Sequence, residues 1–390
     1  MAEELDTKVW SELPAEILER VLRWLPFSTL CKFRAVCKYW NTLPTVRAEQ
    51  PYILDIPCNT KKDYVTCLRY CCLYSPTANT WDFIDLSFLP QRMTQLSSCP
   101  CYWTPQIERF CSDGGLLCVW GKLLERDLRY YFSDIIPHYT ILVCNPLTKR
   151  CKLLPPFDFT YQGSIDLVMK RESSGEYKIF AVALAYTGAP GLYLRHYMYD
   201  SASDSWMLLL DLKRDCSDVS LLRFGSIIFD GVYYCVSGGG RQPYDLYAYN
   251  IKQNSWIAAG VKIKLNPKTT RVLFVVSNGR LLLIASILEE KLYFSINQVD
   301  LRRTETMYSP AVYVSLPANF TWKRGVALAY RDSIIFASES KCRFMAVDLL
   351  SLSADLKELK SITPMSVIPT SERYTQTNMA NASFDVQATV

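Results

Sequence analysis

Residues 13–43 read LPAEILERVLRWLPFSTLCKFRAVCKYWNTL, and they set this stretch apart from everything that follows it. Ile17, Leu18, Val21, Leu22 and Leu25 recur at the spacing of one helical face, so an amphipathic helix is expected across them. Pro14 sits where a first-turn proline forfeits no hydrogen bond, and Pro26 halts the run one residue after the stripe. Ser28 can cap a second helix carrying Leu30 and Phe33, while Val36, Trp40 and Leu43 continue a third apolar face as far as Pro44. A unit of roughly 30 residues is too small to build a self-sufficient core. Its surplus apolar surface therefore needs a partner, either the rest of the chain or another protein.

After Pro44 the pattern changes to short β-branched and aromatic runs punctuated by Gly, Pro, Asn and Asp. Aligned by their turns, these runs expose an eight-residue unit: a hydrophobic residue, then Asn, Asp or Ser, then five positions, then often Trp. Copies begin at Tyr74-Ser75, Cys144-Asn145, Tyr199-Asp200 and Tyr249-Asn250, with weaker ones at Val299-Asp300 and Val347-Asp348. They end at Trp81, Cys151, Trp206, Trp256, Thr306 and Ala354. Successive starts lie 70, 55, 50, 50 and 48 residues apart. Each unit reads as strand, tight turn and returning strand, with the Asn, Asp or Ser folding onto nearby backbone amides and the Trp packing on a neighbouring sheet. Further strand pairs are expected at Leu273–Val276 with Leu281–Ile284, and at Val326–Tyr330 with Ile334–Ala337. Four strands per repeat of about 50 residues is the mark of a β-propeller blade. The expected fold is α+β multidomain: a small three-helix unit, then an all-β propeller of six blades. Its first blade, about 51–98, can borrow a strand from the C-terminal end. A non-closed β-sandwich is the alternative.

The helical stretch, taken as an ordered set of Leu13-Pro14, Leu25-Pro26, Leu30, Phe33-Arg34, Val36-Cys37-Lys38 and Trp40, resembles the F-box. The repeats resemble the kelch-type propellers of plant F-box/kelch proteins, most clearly at Gly238-Gly239, Tyr249 and Trp256. The resemblance implies an F-box at 10–44 and a kelch-like propeller at 51–363; residues 1–9 are expected as a flexible N-terminus and 364–390, with little periodic apolar content, as a flexible tail. It also implies a role as substrate receptor of a Skp–cullin–F-box ubiquitin ligase. Docking on a Skp-family adaptor is then assigned to Leu13, Pro14, Ile17, Leu18, Leu22, Leu25, Pro26, Leu30, Val36, Cys37 and Trp40, with Val21 and Phe33 facing inward. Cullin and RING subunits would be reached through that adaptor. The protein substrate is expected on loops joining the second and third strand of each blade, around 121–139, 187–196, 239–244, 288–294 and 338–342. Those loops carry Arg126, Arg129, Tyr130, Arg195, Arg241, Tyr244 and Lys291, a set of arginine and aromatic side chains typical of binding hot spots.

Bulk properties agree with a binding protein. Of 390 residues, 49% are hydrophobic and 21% charged, and the net charge of +5 is thinly spread, with no basic stripe for nucleic acid. No uninterrupted apolar stretch approaches the ~18 residues of a membrane span, and no basic start precedes an apolar run as in a secretory signal. The 15 cysteines are accordingly expected as reduced thiols in the cytoplasm or nucleus. No cysteine spacing matches a zinc site, and the only two histidines, His138 and His196, lie far apart, so no cofactor or metal is expected. Asp200, Asp300 and Asp348 occupy the repeated turn column, where capping rather than acid–base catalysis is expected. A non-catalytic subunit is the favoured reading, with a non-ligase interaction scaffold and a propeller enzyme as rivals.

Overall fold

The computed structural model describes residues 52–348 apart from interior gaps, chiefly 59–69, 90–103, 125–137 and 316–325, together with 376–382. Of residues 1–51 it describes only Pro14, Glu16 and Ile17. The described strands form six sheets, numbered here in chain order.

Sheet 2 shows the plan: Thr104–Asp113, Leu116–Leu124, His138–Asn145 and Arg150–Leu153 pair consecutively and antiparallel. Sheet 3 repeats it with Tyr161–Arg171, Tyr177–Tyr186, Leu192–Asp200 and Ser205–Arg214. Sheet 4 runs through Ser226–Phe229, Val232–Ser237, Tyr244–Asn250 and Ser255–Ile257, and sheet 5 through Thr269–Ser277, Arg280–Leu288, Leu292–Gln298 and Val312–Ser315. Sheet 6 comprises Val326–Tyr330, Ser333–Ala337 and Phe344–Asp348 among the described residues. Sheet 1 takes its first strand from far downstream: Gln376–Ala382 pairs antiparallel with Tyr52–Cys58 along its whole length, followed by Tyr70–Ser75 and Thr80–Asp85. This corrects the expectation of a flexible tail over 364–390, since residues 376–382 are a paired strand. The backbone ladder to Tyr52–Cys58 holds it, not any apolar alternation of its own.

The first strand of each sheet neighbours the first strand of the next, from Gln376–Ala382 through Thr104–Asp113, Tyr161–Arg171, Ser226–Phe229, Thr269–Ser277 and Val326–Tyr330, and the last neighbours Gln376–Ala382 again. The six first strands thus stand in a closed cycle.

Apolar layers fill the spaces between successive sheets from sheet 2 to sheet 6. Trp120, Val143, Ile179 and Tyr199 pack between sheets 2 and 3, and Phe180, Met198, Tyr233 and Tyr249 between sheets 3 and 4. Val236, Leu246, Phe274 and Leu283 fill the next layer, and Ile284, Phe294, Ile334 and Phe336 the one after. Middle strands bury both faces, which is why Leu281–Ala285 is an unbroken apolar run without polar alternation.

Two kinds of turn recur between the strands. Gly114-Gly115, Asp230-Gly231 and Asn278-Gly279 hold φ values of 55/88°, 49/71° and 49/65°, the double left-handed geometry of two-residue hairpins. The repeated eight-residue unit makes a longer turn. Tyr74↔Trp81, Cys144↔Cys151, Tyr199↔Trp206 and Tyr249↔Trp256 face one another directly across their strands. The side-chain oxygens of Asn145, Asp200 and Asn250 accept hydrogen bonds from the amides of Thr148, Ala202 and Gln253 at 3.2, 2.9 and 3.0 Å. Each turn then closes through a left-handed residue: Lys149, Asp204 and Asn254 have φ of 58°, 49° and 52°.

Gly114 also meets a neighbouring sheet. A Cβ there would lie 2.6 Å from Cδ and 2.9 Å from Cβ of Arg171. Arg171 cannot step aside freely, because its amide donates to Asp113 at 2.7 Å and its guanidinium to the Gly114 carbonyl at 2.9 Å. Gly114→Ala should therefore cost about 1–3 kcal/mol through both strain and crowding, read as a lower denaturant midpoint. An unchanged midpoint would refute this packing.

Candidate interaction surfaces

In an antiparallel four-strand sheet, the turns joining strands one to two and three to four lie at one end, and the segments joining strands two to three lie at the other. The first end is closed by short, internally bonded turns. The repeated aromatic residues fasten it to neighbouring sheets. The Trp206 indole donates to the Pro155 carbonyl at 2.9 Å, and the Trp256 indole to the Leu209 carbonyl at 3.0 Å. The Tyr199 hydroxyl donates to Asp204 at 2.6 Å with its ring 5.3 Å from Trp206, and Tyr249 repeats the arrangement with Asn254 and Trp256. Near the first strands, Asp166 accepts from both the amide and the hydroxyl of Ser226, at 2.9 and 3.1 Å. The tyrosine and tryptophan columns are visible in the repeat; the links from Asp113 to Arg171 and from Asp166 to Ser226 have no local signal in the sequence.

Asp204 is exposed, and its carboxyl is held below the usual carboxylate range by the Tyr199 hydroxyl and by Lys152, whose ammonium lies 3.1 Å away. A depressed carboxyl stabilises the fold above its unfolded value of about 4, and that contribution is lost as pH falls through the lower folded value. Asp204→Asn keeps the left-handed geometry and the tyrosine partner, as Asn254 does, while removing the titration. Its melting temperature should decline less steeply than the parent's as pH falls below about 4. Parallel acid profiles would count against the pairing.

The opposite end carries the second-to-third-strand segments. Arg126, Arg129, Tyr130, Arg241 and Lys291 fall on such segments, between Leu124 and His138, Ser237 and Tyr244, and Leu288 and Leu292, and all five lie outside the described residues. Arg195 and Tyr244 differ from the loop positions expected of them. Arg195 lies within the strand Leu192–Asp200, opposite Asp211, and its guanidinium pairs with that carboxylate at 3.2 Å. Tyr244 begins the strand Tyr244–Asn250 opposite Ile263. Next to it Asp245 pairs with Lys262, and Leu288 at the same end of sheet 5 is 57% exposed.

At the N-terminal stretch, Glu16 and Ile17 are helical, the Ile17 amide donates to the Pro14 carbonyl at 3.0 Å, and the Ile17 side chain is 44% exposed. Leu13, Leu18, Leu22, Leu25, Pro26, Leu30, Val36, Cys37 and Trp40 lie outside the described residues. Among the described residues no group of three His, Cys, Asp or Glu side chains could hold a metal, and no helix is long and apolar enough to cross a membrane.

Residues 10–45 match the model of the F-box domain. The chain is 24% identical over 261 residues to F-box only protein 6 of Arabidopsis thaliana, covering 65% of this chain and 48% of that protein. It is 22% identical over 320 residues to Protein UNUSUAL FLORAL ORGANS of the same plant, covering 74% and 63%. With SKP1-interacting partner 15, also from Arabidopsis thaliana, it shares 26% identity over 160 residues, 37% of each chain. The chain thus spans about half to just under two thirds of the length of the first two relatives. With the model match and these relatives together, the chain carries an F-box domain at residues 10–45, followed by a β-rich region of paired sheets.

Proposed function

We propose that this protein is the substrate-recognition subunit of a Skp–cullin–F-box ubiquitin ligase, acting in the cytoplasm or nucleus. The F-box docks a Skp-family adaptor and, through it, cullin and RING subunits, and the β-rich region binds the protein to be ubiquitinated. The observation that carries this reading is the F-box match at residues 10–45, and similarity to a protein named for interacting with SKP1 supports it.

The β-rich region is read as a six-bladed, kelch-like propeller. The closed cycle of first strands supports this, as do the apolar layers between successive sheets and the recurring tyrosine–tryptophan hairpin. In this reading the protein does no chemistry itself. It holds a substrate near a charged conjugating enzyme, so that proximity replaces a bimolecular encounter. The substrate segment meets the end carrying Arg126, Arg129, Tyr130, Arg195, Arg241, Tyr244 and Lys291, whose basic bias suits a segment with some negative charge.

Affinity capture with the full chain and with a variant lacking residues 11–43 tests the assignment. Adaptor and cullin should be recovered with the full chain and lost on deletion, while proteins bound by the β-rich region should be recovered with both. Adaptor without cullin would make the protein a non-ligase scaffold, and absence of adaptor from the full chain would overturn the reading.

A further inference from the structure

Sheet 2 places two cysteine pairs directly opposite one another: Cys111↔Cys118 on its first two strands and Cys144↔Cys151 on its last two. All four are free thiols. The register makes the two pairs unequal. The Leu154 amide donates to the Ile141 carbonyl at 3.0 Å, which marks that step as a hydrogen-bonded one. Alternation then makes Leu142↔Leu153 open, Val143↔Lys152 bonded and Cys144↔Cys151 open. At an open position the Cα atoms stand about 4.5 Å apart and the side chains approach most closely, within the span that a disulfide bridges. Cys111↔Cys118 lies two steps from the closing pair Asp113↔Leu116 of its two-residue turn, so it falls at a bonded position, where the separation is about 5.5 Å.

Access separates the pairs as well. Cys111 and Cys118 are both buried in the layer between sheets 2 and 3, and burial pushes the Cys111 thiol up. Cys144 is fully buried, but Cys151, on the outer strand, is partly exposed. The side chain of Cys144 hydrogen-bonds Cys151 and lowers its pKa from the ordinary thiol value, against an opposing effect of burial. One partly exposed thiol with a second thiol directly opposite it is the arrangement of an attacking and a resolving cysteine.

We propose that Cys144 and Cys151 are a reversible oxidation site, closing into a cross-strand disulfide when the protein meets a peroxide. The Cys151 thiolate attacks one peroxide oxygen, the O–O bond breaks, and Cys151 becomes a sulfenic acid with release of water. The Cys144 sulfur then attacks the sulfenic sulfur; the S–S bond forms, and the hydroxyl leaves as water with the Cys144 proton. Two thiols are oxidised by two electrons and the peroxide is reduced to two waters. A thiol reductant reverses the step by exchange.

Trypsin makes the test unambiguous, because cleavage after Arg129, Lys149, Arg150 and Lys152 puts Cys144 alone in residues 130–149 and Cys151 alone in residues 151–152. The full chain is treated with hydrogen peroxide, blocked with an alkylating agent under denaturing conditions, digested and mapped by mass spectrometry. The expected product is these two peptides joined, with both thiols lost to the alkylating agent and regained after reduction. Cys151→Ser should abolish the joined species and leave Cys144 as a free thiol, while Cys111→Ser should leave it intact. A Cys151 that stays reduced, runs on to sulfinic acid with Cys144 still free, or pairs with any other cysteine would overturn the proposal.

Discussion

A chain ending at residue 375 should fail to accumulate as soluble, cooperatively melting protein. The lost strand, Gln376–Ala382, pairs with Tyr52–Cys58 at every one of its 7 residues and neighbours the first strands of sheets 2 and 6. At about 0.5–1.5 kcal/mol for each hydrogen bond, losing several of them removes on the order of 4–10 kcal/mol. That is comparable with the whole stability of an ordinary domain, about 5–15 kcal/mol. The truncation also leaves the ladder of Tyr52–Cys58 open, and an unpaired edge invites pairing between molecules. Soluble yield and a thermal melt report the outcome, and a synthetic peptide spanning residues 374–384 should restore part of the melt in trans. A truncated chain that melts like the parent would show that the pairing is dispensable.

The second large effect concerns the adaptor. Replacing Leu13 and Pro14 together by alanine should weaken capture of a Skp-family adaptor by about 30- to 1,000-fold, corresponding to roughly 2–4 kcal/mol. Each of these side chains, if fully buried against a partner, contributes about 1.5–3 kcal/mol, and alanine forfeits most of it. The melt of the β-rich region should not move, because residues 13 and 14 precede every strand of the sheets. Capture at parental affinity would remove both residues from the contact set.

The hairpin repeat was legible because its columns carry distinct physical duties. The hydrophobic residue faces its partner across the strands, the Asn or Asp ties down the turn amide, and the fifth position after the start takes the left-handed conformation. Lys149, Asp204 and Asn254 hold that conformation, and the sequence places Asn79 at the same position in the first copy. In the copy starting at Val299 the position is Thr304, whose β-branch resists a positive φ. The expected returning strand pairs elsewhere: Glu305–Thr306 runs parallel to Lys262–Ile263 in sheet 4, and sheet 5 takes Val312–Ser315 as its outer strand. A strand borrowed from the C-terminal end is expected for the first sheet, but its place at 376–382 has no local signal in the sequence. Its sequence, QTNMANA, has no apolar alternation, so the information that makes it a strand resides in Tyr52–Cys58. Of the adaptor-docking set, the helical spacing is clear in the sequence, while the described residues reach only Pro14 and Ile17. On the rim, position along the chain was readable but engagement was not: nothing near Arg195 announces Asp211 as its partner.

The union of Gln376–Ala382 with Tyr52–Cys58 also sets an order of events during synthesis. At about 5–20 residues per second, a ribosome needs roughly 15–60 s to travel from one partner to the other. Until then the nascent polypeptide presents an incomplete first sheet. Chaperones acting during synthesis would have to shield that open seam until the last strand arrives.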